Sequence, residues 1–184
     1  MIAFREAGPE NTDRALDIAF EVAEQRGIGY IVVASTTGWT AEKAAERARG
    51  KSARLVVVTH NTGFRTPGEQ EFDTQLRERL VREGIAVITG TLPTRGINRA
   101  IRDRFGGSEI DLVSWTLRLL GEGLKVCVEI ACMACDAGAI PPEDVLCVAG
   151  TGRGADTVAI IHAQPSNKFF DLRVREIIAK PYYT

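Results

Sequence analysis

Tyr30-Ile31-Val32-Val33-Ala34-Ser35-Thr36-Thr37-Gly38-Trp39-Thr40-Ala41-Glu42-Lys43-Ala44-Ala45 changes character twice within one short stretch. Its first five residues form a continuous apolar run rich in β-branched side chains, the mark of a strand buried on both faces. Ser35–Thr40 then offers four hydroxyls and a glycine, and Thr40 is placed to cap the helix that follows. That helix carries Ala41, Ala44, Ala45 and Ala48 on one face. Side chains this small let a helix lie close against a sheet. A doubly buried strand feeding a helix through a polar loop is the repeating unit of a parallel α/β sheet.

The same unit recurs on either side. Ile2–Phe4 reads as a short strand, followed by a turn at Gly8-Pro9-Glu10-Asn11-Thr12. Asn11 or Thr12 is positioned to cap a helix carrying Leu16, Ala19, Phe20 and Ala23 at i, i+3, i+4 and i+7, and Gly27 stops it. Downstream, Leu55–Val58 and Ile85–Ile88 repeat the strand signal around a helix that presents Phe72, Leu76 and Leu80 and ends at Gly84. Ile97, Ala100 and Ile101 indicate a short helix. Glu109–Leu120 and Lys125–Ala137 read as two longer ones, parted by Gly121 and Gly123 and closed by Gly138 and Pro141-Pro142. Val145–Ala149 is a further buried strand, Gly150–Gly154 a glycine-rich loop, and Thr157–Ala163 a strand running back. Phe170–Val174 alternates as a half-exposed edge strand does. The expected fold class is α/β: one domain over residues 1–184, three layers (α/β/α), and a mostly parallel sheet with antiparallel strands late in the chain. Right-handed crossovers would bring the strand-to-helix loops to one edge, where such folds bind ligands.

Composition narrows the function. The 184 residues are 45% hydrophobic and 26% charged, ordinary for a globular domain. Lys and Arg total 23 against 24 Asp and Glu, a net charge of −1, so no basic excess favours nucleic acid. The opening residues lack a signal-type apolar stretch, and no run approaches the roughly 20 residues that cross a bilayer. A cytoplasmic chain with no membrane partner is expected. Cys132 and Cys135 have CxxC spacing, but no second pair accompanies them and both histidines, His60 and His162, are distant. They sit within an apolar helical pattern, so the reading is core packing, with no metal site.

Three loops hold the candidate binding residues. In the first, Ser35, Thr36, Thr37, Gly38 and Thr40 precede or open a helix, whose unpaired N–H groups and partial positive charge suit an anion. The alternative is a loop that satisfies its own helix, with hydroxyls facing water. In the second, Gly150, Thr151, Gly152, Arg153 and Gly154 can form a nest of N–H groups with an added bidentate cation, or else a plain hairpin turn. In the third, His60, Gly63 and Phe64 place a histidine and an aromatic ring at the same edge. His60 is either a general base or a ligand contact, or a satisfied structural group. Phe64 and Trp39 either flank a planar ring or pack down on helix starts. No Ser-His-Asp order, HExxH or paired-carboxylate motif appears, so no catalytic residue is assigned. The two anion-binding loops serve one site only if they meet.

The segment Ile31–Ala45, the strand Leu55–Thr59 and the loop Gly150–Gly154 together resemble the C-terminal α/β domain of pyruvate kinase. The similarity extends to stand-alone archaeal and bacterial relatives of that domain through Pro9-Glu10-Asn11-Thr12, Thr59-His60…Gly63-Phe64, Gly150–Thr157 and Phe169-Phe170-Asp171. It covers nearly the whole chain, and departs from the pattern at Thr91–Arg95, where a histidine-containing loop is expected. The resemblance implies the three-layer fold, a phosphate held by the Ser35–Thr40 loop and, for the stand-alone relatives, association with flavin mononucleotide (FMN). The barrel that carries pyruvate kinase catalysis is absent, so that activity is not expected. Three roles follow as expectations: binding of a phosphorylated small molecule such as FMN, flavin-dependent oxidation and reduction, or a regulatory module in which a ligand biases assembly. Homo-oligomerisation is left open.

Overall fold

The computed structural model describes residues 1–183. Its strands are β1 (Ile2–Glu6), β2 (Tyr30–Ala34), β3 (Arg54–Thr59), β4 (Ala86–Thr89), β5 (Asp144–Ala149), β6 (Thr157–His162) and β7 (Arg173–Tyr183). The helices are α1 (Thr12–Arg26), α2 (Trp39–Ala48), α3 (Thr74–Arg82), α4 (Gly96–Phe105), α5 (Glu109–Arg118) and α6 (Glu122–Asp136). One sheet has the order β1-β7-β6-β5-β2-β3-β4. β6 pairs antiparallel with both neighbours, and every other pairing is parallel. The α/β class and the mostly parallel sheet are therefore as expected.

Alternation along the central strands assigns the layers. Ile31 and Val33 of β2, with Leu55 and Val57 of β3 and Leu146 and Val148 of β5, face a buried cluster that includes Leu16 and Phe20 of α1 and the alanines of α2. Val32, Val56, Val58, Val145 and Cys147 face the opposite cluster, built largely from α6. Each fully buried Val, Leu or Ile is worth roughly 1.5–3 kcal/mol. An exposed pair such as Arg26–Glu176 is screened by water and salt and adds little. The two apolar faces, not the surface ion pairs, hold the layers together.

Several local expectations need correction. The alternating run Phe170–Val174 is not an edge strand: Phe170 and Asp171 lie in a 3-10 turn, Ser166–Asp171, and the strand begins at Arg173. β7 then continues through Pro181 to Tyr183, between β6 and β1, so the true edges are β1 and β4. Pro181 obscured it, because proline in a run argues against an interior strand. Neither Asn11 nor Thr12 caps α1 with its side chain. Asn11 donates to the carbonyls of Glu6 and Gly8, and Thr12 Oγ1 accepts from the Ala155 amide at 2.9 Å, tying the start of α1 to a loop far away in sequence. Helix α2 is capped by Gly38, in the left-handed region at φ 110°, rather than by Thr40. Gly123 does not part α5 from α6 but lies in the first turn of α6. No helix among the described residues is long and apolar enough to cross a membrane.

Candidate functional site

Strands β2 and β5 are parallel neighbours, and their chains leave the sheet at the same edge in different directions. β2 feeds α2, whereas β5 turns through Gly150–Asp156 into β6. Reversal of strand order beside β2 opens a crevice outside the carboxyl ends of the strands. A cleft of 720 Å³ occupies this place, within the roughly 300–1,000 Å³ of small-molecule sites. Ser35, Thr36, Thr37, Trp39 and Thr40 line it from one loop, Gly150, Gly152, Arg153 and Gly154 from another, and His60 and Phe64 from a third. Gly38, Gly63 and Thr151 are not in its lining. They shape the loops instead, Gly38 capping α2, Gly63 donating to the Glu69 carbonyl at 2.8 Å, and Thr151 donating its amide to Asp156.

The first loop satisfies its helix only in part. Ser35 Oγ accepts from the Ala41 amide at 3.2 Å. Among the described residues, the amides of Thr36, Thr37, Gly38, Trp39 and Thr40 have no acceptor within the chain. These donors, with the positive end of the α2 dipole, make a site where negative charge is favoured. The hairpin reading of the glycine loop is also right, because Ala149 pairs with Thr157 across it. The loop is held by the fully buried Asp156, whose carboxylate accepts from the amides of Gly8 and Thr151 and from the Thr157 hydroxyl. Gly154 has φ +74°, and a Cβ there would lie 2.5 Å from Pro9 Cα and from Thr12 Oγ1. This glycine lets the hairpin dock on the start of α1. The amides of Gly152, Arg153 and Gly154 have no acceptor among the described residues, and Arg153 forms no ion pair there.

The third loop is already stacked. His60 lies on Phe64 with ring centroids 3.8 Å apart and 24° between planes, and the Arg95 guanidinium sits over Phe64 at 3.9 Å. Both approaches are too close to share a face, so His60 and Arg95 cover the two faces of Phe64. In this arrangement both faces of Phe64 are occupied by groups of the chain itself. Trp39 is exposed, with Lys43 5.0 Å from its ring. His60 Nδ1 lies 3.8 Å from Glu71 Oε2, too far for a hydrogen bond. Both atoms are buried and otherwise unpartnered. Burial holds His60 below its ordinary range; Glu71 pulls it partly back and Arg95 pushes further down.

One wall was expected only at Arg65 and Arg95, which the sequence places on the same edge as His60; its helical part was not. The short segment before α4 supplies Leu92 and Arg95, α5 supplies Arg118, and α6 supplies Glu122, Lys125, Val126, Glu129 and Ile130. Lys125 Nζ donates to Glu129 Oε2 at 2.5 Å, and Thr94 Oγ1 donates to Glu129 Oε1 at 2.5 Å, all three being buried. The sequence held a signal for this: two opposite charges four residues apart inside an otherwise apolar helix. In all, Arg65, Arg95, Arg118, Lys125 and Arg153 line the cleft against Glu122 and Glu129. Arg65, Arg118 and Lys125 are paired with Glu71, Glu122 and Glu129, so Arg95 and Arg153 supply the excess charge that makes the cleft electropositive. Burial, with Arg99 and Arg102 nearby, draws the Arg95 guanidinium down from its ordinary value.

The cysteines take no part. Cys127, Cys132 and Cys147 are buried and Cys135 is partly so, all free. Burial pushes Cys132 up to about 12 and Cys127 higher still, leaving both inert as thiols.

The site thus belongs to an α/β domain with an electropositive crevice at the carboxyl edge of its sheet. No family model matches the chain. Among solved structures, it is similar over 83% of its length to a pyruvate kinase from Cryptosporidium parvum, at 16% identity and a TM-score of 0.41, covering 23% of that chain. A C. parvum pyruvate kinase in complex with ADP gives 16% identity and a TM-score of 0.42, over 83% of this chain and 24% of that one. A further structure of the C. parvum enzyme gives 14% and 0.40, over 83% and 22%. The chain spans less than a quarter of the length of these enzymes.

Proposed function

We propose that the cleft binds a phosphorylated small molecule, with the phosphate on the α2 amides and Arg153, and that FMN is such a ligand. One observation carries the reading. Two loops more than a hundred residues apart, Ser35–Thr40 and Gly150–Gly154, face the same crevice with unpartnered amides and an unpaired arginine. A phosphate group supplies the acceptors those donors lack. FMN fits the donor set at its phosphate end, and the cleft volume suits a ligand of its size. With Phe64 covered on both faces, the isoalloxazine ring has the exposed Trp39 as its aromatic neighbour. A bound flavin would supply hydride or single-electron chemistry, while the chain's residues would position it and surround it with positive charge.

Calorimetric titration with FMN and with riboflavin, which lacks the phosphate, tests this. Charge-assisted hydrogen bonds are worth about 1.5–3 kcal/mol each, so FMN should bind at least about tenfold more tightly than riboflavin. The double variant Thr37→Ala/Arg153→Ala, at two exposed side chains, should weaken FMN binding at least about tenfold through loss of the charge-assisted bond to Arg153 and leave riboflavin binding unchanged. Equal affinity of the parent for the two flavins, or an FMN affinity undiminished by both substitutions, would contradict the reading.

A further inference from the structure

The loop that leaves β3 fixes both the main chain and the ring of His60. Thr59 Oγ1 and Gln70 Nε2 donate to the His60 carbonyl at 2.9 and 3.0 Å. Gln70 Oε1 accepts from the Phe72 amide at 3.0 Å, which keeps Glu71, between them, beside the histidine. Phe64 stacks on the ring and sets its plane. Glu71 is oriented in turn, its Oε1 lying 3.1 Å from the Nε donor of Arg65. Its Oε2 is left facing His60 Nδ1 at 3.8 Å, both atoms buried and without another partner. A buried ring nitrogen that faces a buried carboxylate is stabilised when it carries the proton. The gap exceeds a hydrogen bond by about 1 Å, as catalytic hydrogen bonds often do before a ligand closes the site.

With the proton on Nδ1, the lone pair of the neutral ring belongs to Nε2. The ring lines the cleft, and the side chain is 29% exposed. Among the described residues Nε2 has no hydrogen-bond partner, and unlike Nδ1 it is not buried. Glu71 and Glu129 favour a charged ring, whereas burial and Arg95 oppose it and keep the ring neutral. Both carboxylates of the cleft lining are engaged by cations, Glu122 by Arg118 and Glu129 by Lys125. Nε2 is the free base in a cleft otherwise lined with donors.

We propose that Glu71 positions His60 as the proton acceptor of the cleft, with Nε2 presented to a hydroxyl or N–H group of the bound molecule. This rests on the phosphate reading only for the presence of a ligand, and it adds a requirement for a donor group beyond the phosphate. In the step, the O–H or N–H bond breaks, the proton passes to Nε2, and the electron pair stays on the ligand's heteroatom. The imidazolium so formed keeps its Nδ1–H toward the Glu71 carboxylate, and the charge left on the ligand lies in an electropositive cleft.

Nitrogen-15 NMR of the ligand-free chain above pH 7 tests the assignment independently of phosphate binding. The His60 proton should reside on Nδ1, with Nε2 bare. Glu71→Gln, nearly isosteric, separates positioning from packing. Arg65 occupies the Oε1 side, so the glutamine oxygen takes that place and its amide nitrogen faces Nδ1. A donor there moves the ring proton to Nε2. Diethyl pyrocarbonate acylates an accessible, unprotonated imidazole nitrogen. It should modify His60 of the parent at Nε2 and that of Glu71→Gln at least about tenfold more slowly, with His162, bonded to Asp144, as the internal reference. A parent with the proton on Nε2, a His60 that the reagent does not reach, or a Glu71→Gln chain of parental tautomer and reactivity would each overturn the proposal. If these results hold while FMN fails to bind, the phosphate reading falls and the proton acceptor stands.

Discussion

His60 carries two signals that oppose each other. Burial disfavours its charged form, and Glu71, with an unpartnered carboxylate oxygen 3.8 Å away, favours it. Burial wins, so the folded protein takes up this proton at a lower pH than the unfolded chain, whose histidines titrate near 6.5. Between those two values the unfolded state holds more protons, and stability rises with pH. The histidine's contribution is thus complete above about 6.5 and is lost as pH falls through the folded midpoint. An NMR titration of the imidazole should place that midpoint below 6.5, and Glu71→Gln should lower it further. A midpoint above 6.5, or one raised by Glu71→Gln, would contradict this assignment. Sequence could place His60 after a strand and at the ligand edge, yet it could not show that Phe64 is enclosed between His60 and Arg95. That stack joins residues from two separate loops, and no local pattern reports it.

At the level of elements, α6 shows how much periodicity conceals. Its apolar pattern correctly announced a helix packed on the sheet; of the CxxC cysteines, Cys132 is buried and Cys135 is half-buried against the core. The same pattern absorbed Lys125 and Glu129, the buried pair that forms the inner wall of the cleft. Removing one member of a buried ion pair costs about 3–5 kcal/mol, whereas replacing both with apolar groups is often neutral or stabilising. Lys125→Met should therefore lower stability by about that amount in urea unfolding, and Lys125→Met/Glu129→Leu should recover most of it. A single variant within about 1 kcal/mol of the parent would show that the pair is not desolvated as described. Helix α5 was also legible as a helix, but that it buries Asp111 and Ser114 and exposes Leu112, Trp115 and Leu119 was not, because periodicity states that a helix has two faces and not which one meets the core. Strand β7 was missed for a third reason: charges and Pro181 masked a segment whose interior position comes from pairing with both ends of the chain's fold, β1 and β6.

For the molecule as a whole, the class of fold was readable because each doubly buried strand announces itself through an unbroken apolar run. The convergence of the first and last loops followed from topology alone, once strands β2 and β5 were neighbours. The wall from α5 and α6 was not readable, since the long crossover between β4 and β5 leaves the direction of its helices open. What unites these features is an electropositive crevice holding unpartnered amides from two distant loops. The most direct test is an amide-resolved NMR titration of the isotopically labelled protein with FMN. The amides of Thr36–Thr40 and of Gly152–Gly154 should shift together, along a single binding curve. Saturable shifts elsewhere with these two loops silent, or no shift at any amide, would contradict the account.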